Sequence, residues 1–433
     1  MMHAECKDKI EQLLQKGVTI PNPQSVLIGD EVELDRIAGD GVVIYAGCKI
    51  FGEKTLIMPG VKLGYEGPVT VEDCQIGPRV ELKGGFFRKS VFLEKASMGY
   101  GAQVREGCIL EEEANGAHMV GLKQTILFPF VTLGSLINFC DCLMAGGTSR
   151  KNHSEVGSSY IHFNYTPNQD KATPSLIGDV PRGVMLNQPP IFLGGQGGLV
   201  GPVRIGYGTV IAAGVVYRKD AFEKGKLLLG QGPLMGEGQP SHLMANFYPG
   251  LYWHIERQTR HNIHYIANLM ALRQWYIGVR SQFFGGDPMG QMLYEGILDK
   301  LNIALDERIK RLKAFAQKMP ASAEKYRKIM KDRANQKLLE QKQALFERWQ
   351  EVEDIFYANQ DNSGDPAIRE PFLEQVSEHI KKKGPDYIAV IQGIDQTWLA
   401  KGTKWLQGIV DTINRQALEI IPPFRGVCRG KTP

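Results

Sequence analysis

Side chains able to move protons and hold anions gather in one short stretch of this chain. Arg150-Lys151-Asn152-His153 is followed by His162-Phe163-Asn164-Tyr165 and then Lys171. Imidazole accepts and returns protons near neutral pH, and cations beside it grip an anionic ligand. An ordinary polar flank is the alternative reading. His254, Arg257, His261 and His264 fall at one- and two-turn spacings on a predicted helix, but Glu256 is the only acidic partner nearby. Satisfied histidines on a polar helix face are expected there, and no metal site. Cys140 and Cys142, two apart on a predicted strand, face the same side and read as packing residues. Gly194-Gly195-Gln196-Gly197-Gly198 lacks the Lys-Ser/Thr and the strand-to-helix setting of a phosphate loop.

The elements that must position the His153 stretch announce themselves as a repeat. An aliphatic residue followed by glycine recurs at Ile28-Gly29, Leu63-Gly64, Ile76-Gly77, Met98-Gly99, Val156-Gly157, Ile177-Gly178 and Ile205-Gly206. Between such pairs aliphatic residues step by six, as from Ile44 to Ile50 to Leu56 and from Met98 to Val104 to Leu110. One inward aliphatic residue per short strand, with small residues turning the corners, makes a β-helix whose stacked coils bury a continuous column. A β-sandwich would alternate at period two over longer strands. Coils of about 18 residues would superpose the His153, Asn164 and Lys171 groups on one face. The register breaks at Lys83–Phe86, Thr166–Thr173 and Gln188–Gly198, where loops are expected to protrude.

Composition divides the chain. Of 49 glycines, 36 precede residue 241, whereas all five tryptophans follow it, and formal charge is −2 before and +6 after this point within a total of +4. Neither part has the concentrated basic stripe that nucleic acid requires. Helical periodicity appears over 251–283, 289–318, 321–357, 368–382 and 387–421, and the 323–348 segment has an irregular heptad. The expected organisation is an N-terminal helix (1–17), a left-handed parallel β-helix (18–225), a linker (226–248) and an α-helical C-terminal region (249–433). Phe247, Tyr248, Tyr252 and Trp253 are expected to cover the last coil. No apolar run approaches the ~20 residues of a membrane span. Seven cysteines, Cys428 among them, show no CxxC pairing, and the start of the chain has no signal-peptide pattern, so a reduced, cytoplasmic setting is expected.

Lys9 to Pro23 resembles the lead into the left-handed β-helix of the bifunctional UDP-N-acetylglucosamine pyrophosphorylase/glucosamine-1-phosphate N-acetyltransferase family. Asn152-His153, Asn164-Tyr165 with Lys171, Ile177-Gly178-Asp179-Val180 and Ile205 to Gly214 follow the order of that family's acetyltransferase half. The resemblance implies His153 as catalytic base and Asn152, Asn164, Tyr165 and Lys171 against a sugar phosphate or nucleotide sugar. It implies Ala212 and Ala213 along acetyl-CoA as acyl donor, and a homotrimer with sites between subunits. No pyrophosphorylase half fits before Lys9, so no uridylyl transfer is expected. Thr132, Cys140-Asp141 and Val156 stand where the family carries an arginine, a lysine pair and a tyrosine. The alternatives are a catalytically inactive sugar-nucleotide-binding protein and a scaffold trimer whose helices bind a protein partner.

Overall fold

The computed structural model describes residues 4–222, 224–229 and 247–424. The linker expected at 226–248 lies largely outside them, as does Cys428. Residues 27–228 wind through about eleven turns of a parallel β-solenoid, and several helices follow. In-register pairing stacks the short strands into three flat faces. Face A runs from Leu27–Ile28 through Ala102–Val104 and Ile161–Phe163 to Val216–Tyr217. Face B runs from Leu56–Ile57 through Cys108–Leu110 and Ser175–Ile177 to Arg204–Ile205. Face C runs from Val43–Ile44 through Thr132–Leu133 and Glu155–Val156 to Leu227–Leu228. The chain visits them in the order A, B, C, so each turn has an A–B, a B–C and a C–A edge. Two longer strands, Gly121–Leu127 and Asn138–Met144, cross from face A to face B by bending at Gln124 and Asp141, where φ is +50° and +59°.

The helices are α1 (Ala4–Gln15), α2 (Val180–Gly183), α3 (Ile255–Gly278), α4 (Pro288–Gln317), α5 (Met319–Met330), α6 (Gln336–Glu347), α7 (Trp349–Ala358), α8 (Pro366–Lys383), α9 (Tyr387–Gln392) and α10 (Gln396–Ile420). Helix α1 seals the first coil by burying Cys6, Ile10 and Leu13, while Lys9 Nζ donates to the carbonyls of Gly29, Asp30 and Val32 at 2.6–3.0 Å. The segment expected as one helix over 321–357 is three. Lys331, at φ +46°, ends α5, and Asn335 caps α6 through the N–H of Leu338. Tyr252 and Trp253 do not cover the last coil. They pack edge-on against Phe315 and Tyr326, inside the helical region.

The helical region lies along the solenoid instead. Helix α4 packs on the early strands of face B, and α3 packs on Ser175–Ile177 and α2. Strands of faces A and C mostly bury alternate residues, as Lys62–Leu63 and Thr132–Leu133 do. Face B is buried on both sides. Register aligns Leu56, Gln75, Val91, Ile109, Ile126, Leu143 and Leu176 in one outward column, each no more than 3% exposed. Gly296 of α4 sits so close that a Cβ there would meet Gln75 Cγ at 2.5 Å. Truncating Ile109 to alanine should therefore cost about 2–5 kcal/mol as a buried large-to-small change. Val210→Ala on half-exposed face C should cost under about 1 kcal/mol. Equal effects of the two on chemical unfolding would contradict a covered face B.

One polar group in this interface titrates usefully. Glu111 is buried, accepts from the Tyr276 hydroxyl at 2.5 Å, and desolvation pushes its carboxyl up to about 7 from the ordinary 4.5, with Arg280 opposing the rise. Between those values the folded chain holds more protons than the unfolded one, so stability falls as pH rises from about 4.5 to 7. Glu111→Gln should flatten that part of a stability-against-pH profile, and an unchanged slope would count against the buried acid.

Candidate functional site

The His153 group sits on an insertion at the B–C edge. Gly147–Ser149 and Asn152–His153 form a small antiparallel ribbon standing off the coil. Gly146 and Gly147 start it at φ +106° and +101°, and a Cβ on Gly147 would meet His153 Cα at 2.5 Å. Glycine is required there. Asn152 Nδ2 donates to Thr148 Oγ1 at 2.9 Å, and Gln392 of α9 donates to the Thr148 carbonyl at 2.6 Å, so the helical region steadies the ribbon. The His153 imidazole is mostly buried. Its Nδ1 has no hydrogen-bond partner among the described residues, and its Nε2 lies 3.7 Å from Glu155 Oε2. Arg150 folds back along the edge and donates to the carbonyls of Glu113 and Phe130 and to Thr132 Oγ1 at 2.8–3.1 Å. A guanidinium thus lies beside Thr132, the position where sequence order alone shows a cation missing.

Asn164, Tyr165 and Lys171 lie elsewhere, in the loop between Ile161–Phe163 and Ser175–Ile177 at the A–B edge. Ala212 and Ala213 follow Val210–Ile211 at the C–A edge. The three sets therefore occupy three different edges of one prism and do not share a face. The loop after Phe163 explains the difference for Lys171, because it puts 14 positions between Ile161 on face A and Ser175 on face B where Ala102 and Cys108 are six apart, while Asn164 lies only two sides of the prism past His153. Of the expected protrusions, Thr166–Thr173 leaves the coil. Gln188–Gly198 does so only at its start, where 188–191 end the α2-bearing excursion between Ile177 and Phe192, while Phe192–Leu193 and Gly198–Val200 are strands of faces C and A and Gly85–Arg88 is a strand of face A. At the C–A edge Gly194 lies under Ala212 and Ala213, too close for a Cβ, which gives the glycine run a stacking role.

The Asn164 amide is engaged. It donates to Asp141 Oδ2 at 2.6 Å, while Asp141 Oδ1 accepts from Arg308 Nη2 of α4 at 2.6 Å. Arg308 Nη1 also reaches the Lys171 carbonyl at 3.3 Å. Asp141 and Arg308 are 4% and 1% exposed, so this is a buried ion pair joining solenoid to helix. Tyr165 is exposed. Asp141 also separates the two cysteines: it turns the corner, leaving Cys140 half-buried on face A and Cys142 buried on face B. Burial and the neighbouring Asp141 push the Cys140 thiol up, which disfavours its thiolate form. His162 is buried with both nitrogens satisfied, at 2.5 Å from the Cys140 carbonyl and 2.7 Å from Ser175 Oγ. His261 Nε2 lies 2.9 Å from Asp220 Oδ1, tying α3 to the end of the solenoid.

Removing one member of a buried pair strands the other, at about 3–5 kcal/mol, whereas neutralising both costs less. Arg308→Met should destabilise strongly and Asp141→Asn added to it should recover much of the loss. A double-mutant cycle by chemical denaturation with no coupling would contradict the pair.

No family model matches the sequence. Among curated proteins, Bifunctional protein GlmU of Thermotoga maritima is 30% identical over 213 residues, covering 49% of this chain and 42% of the relative. Bifunctional protein GlmU of Acinetobacter baumannii is 29% identical over 237 residues, covering 50% of this chain and 43% of the relative. The chain thus spans about two-fifths of the length of the curated relatives it matches. Over about half of its length the chain is similar to GlmU, a divergent and partial likeness, and the structure is a parallel β-solenoid.

Proposed function

We propose that this chain is an acyltransferase of the hexapeptide-repeat type, moving an acetyl group from acetyl-CoA to an amino group of a sugar phosphate or nucleotide sugar, without uridylyl transfer. The observation that carries this reading is His153, held rigidly on its glycine-hinged ribbon with one ring nitrogen unpartnered. In the proposed step the amine attacks the thioester carbonyl and His153 takes its proton. The tetrahedral intermediate then expels the coenzyme thiolate, which receives the proton back. The resemblance to GlmU supports the acyl donor and the sugar acceptor.

The site is proposed to be complete only between copies. Three parallel solenoids meeting at their C–A edges would set face C of one copy beside face A of the next. That cleft has Ala212 and Ala213 at its base, His153 on one rim and the neighbour's Asn164, Tyr165 and Lys171 on the other. Exposed Tyr65, Tyr100, Met119 and Leu136 along the C–A edge support such contact. The helical region, on face B, touches only the two rims, through Gln392 and Arg308.

A non-catalytic sugar-nucleotide-binding or scaffold trimer is the second reading, favoured by the engagement of Asn164 with Asp141. Thiol release from acetyl-CoA across a panel of amino-sugar phosphates and nucleotide sugars separates the two. Turnover is expected in the native chain and should fall about 10²–10⁴-fold in His153→Ala with ligand affinity nearly intact. Mixing His153→Ala with Lys171→Ala should restore about a quarter of the sites in randomly assembled trimers. No acyl-CoA consumption, or turnover unchanged by His153→Ala, overturns the catalytic assignment.

A further inference from the structure

A cavity of about 440 Å³ opens where the B–C edge meets the helical region. Turns of successive coils form its floor, and the turn Arg280–Phe283 with the first turns of α4 and α9 forms its roof. Phe283, Phe284 and Tyr387 supply aromatic wall. Charge in the lining is lopsided, with five carboxylates (Glu94, Glu112, Glu113, Asp287 and Asp386) against Lys95 and Arg280.

Most of that negative charge is already committed. Asp287 and Asp386 cap α4 and α9 through the N–H groups of Gly290 and Ala389, and Glu94 pairs with Arg79 and Lys95. Glu112 Oε1 accepts from Arg280 Nη2 at 2.5 Å. What remains is the Glu113 carboxylate, which makes no hydrogen bond or ion pair among the described residues, and Glu112 Oε2, buried without a partner. On the donor side Arg280 is 1% exposed, with Nε and Nη1 unpartnered. Its guanidinium lies 3.6 Å from the centroid of the Tyr387 ring and 5.2 Å from that of Phe284. Buried charged donors and acceptors are ordinarily hydrogen-bonded, and among the described residues none hydrogen-bonds these atoms.

We propose that this cavity binds an organic amine that also carries a hydroxyl or carbonyl oxygen and a flat apolar group. The ammonium matches Glu112 Oε2 and Glu113. The oxygen matches the spare Arg280 donors, and the apolar group matches the aromatic wall. An anionic ligand is opposed by the excess of carboxylates, so this is not a phosphate subsite. The cavity adjoins the His153 ribbon, since Gln392 lines it and also holds Thr148, and Arg150 Nη1 reaches the Glu113 carbonyl at 3.1 Å. The assignment stands independently of acyl transfer.

Calorimetric titration of the full chain with phenylethanolamine, phenylethylene glycol and mandelate tests it, because the three share ring and benzylic hydroxyl and differ only in the charged end. The amine should bind about tenfold or more tightly than either comparator, and less tightly as salt rises. Glu113→Gln should weaken it about threefold or more. Ala389→Trp, at an exposed position of α9 that lines the cavity, should block it. Glu113 and Ala389 are both outside the core, and circular dichroism of each variant checks that it folds. No detectable amine binding, equal binding of the three, tighter binding of mandelate, or amine affinity indifferent to both substitutions overturns the proposal.

Discussion

Burial of face B from both sides is the constraint on which the rest of this structure depends. A solenoid wall ordinarily has one dry side, facing its own column, and one wet side. Here the outward column from Leu56 to Leu176 is as dry as the inward one, because α4 and α3 lie on it. The apolar area removed from water is the main driving force for holding the two halves together. It also favours pairing of the polar groups that reach the interface, although Glu112 Oε2 and two Arg280 donors keep no partner among the described residues. Asp141 meets Arg308, Glu112 meets Arg280, and Glu111 accepts from Tyr276.

The same burial decides where chemistry is possible. Face B is closed, so ligands must approach through faces A and C or along the edges bordering the helices. Besides the segment between Ile177 and Phe192 that carries α2, the two large departures from regular coils, the His153 ribbon and the Asn164–Lys171 loop, both lie on edges that border face B. Each is contacted by the helical region, through Gln392 and Arg308 respectively. The helices therefore brace both candidate binding elements while leaving faces A and C open.

How much of this the sequence carried depends on the range of the interaction. The solenoid was legible because its period is local: one aliphatic residue every six, with glycine at the corners. The long helices α3 and α4 were legible for the same reason, whereas the helix expected over 387–421 is two, α9 and α10, with Asp395 capping the second. Double burial of face B left a trace that was not read, namely paired apolar residues such as Leu56-Ile57 and Ile109-Leu110 where faces A and C alternate. The His153 ribbon was illegible because its antiparallel pairing uses short polar residues, Gly147 to Ser149 with Asn152 and His153. The polar loop after Phe163 was equally illegible, and its added residues break the one-coil spacing that sequence order implies between His153 and Lys171. Asp141 and Arg308 lie 167 positions apart, and no local pattern connects them.

The pairs across face B also answer a problem that a repeating surface creates. Stacked strands repeat every ~4.8 Å along the axis, so an apolar helix docked on such a face would find a nearly equivalent seat one coil away. Apolar contact alone supplies affinity without register, as in a strand pairing that lacks a unique landmark. Net stabilisation from a buried ion pair is small, but breaking one is costly, which makes it a device for selecting among otherwise similar arrangements. Arg280 finds Glu112 midway along the solenoid, Arg308 finds Asp141 farther on, and His261 finds Asp220 near the end. Sliding the helices by one coil would strand all three at once. A face built from repeats is thereby given a single seat, and the ribbon and loop that depend on the helices inherit fixed positions from it.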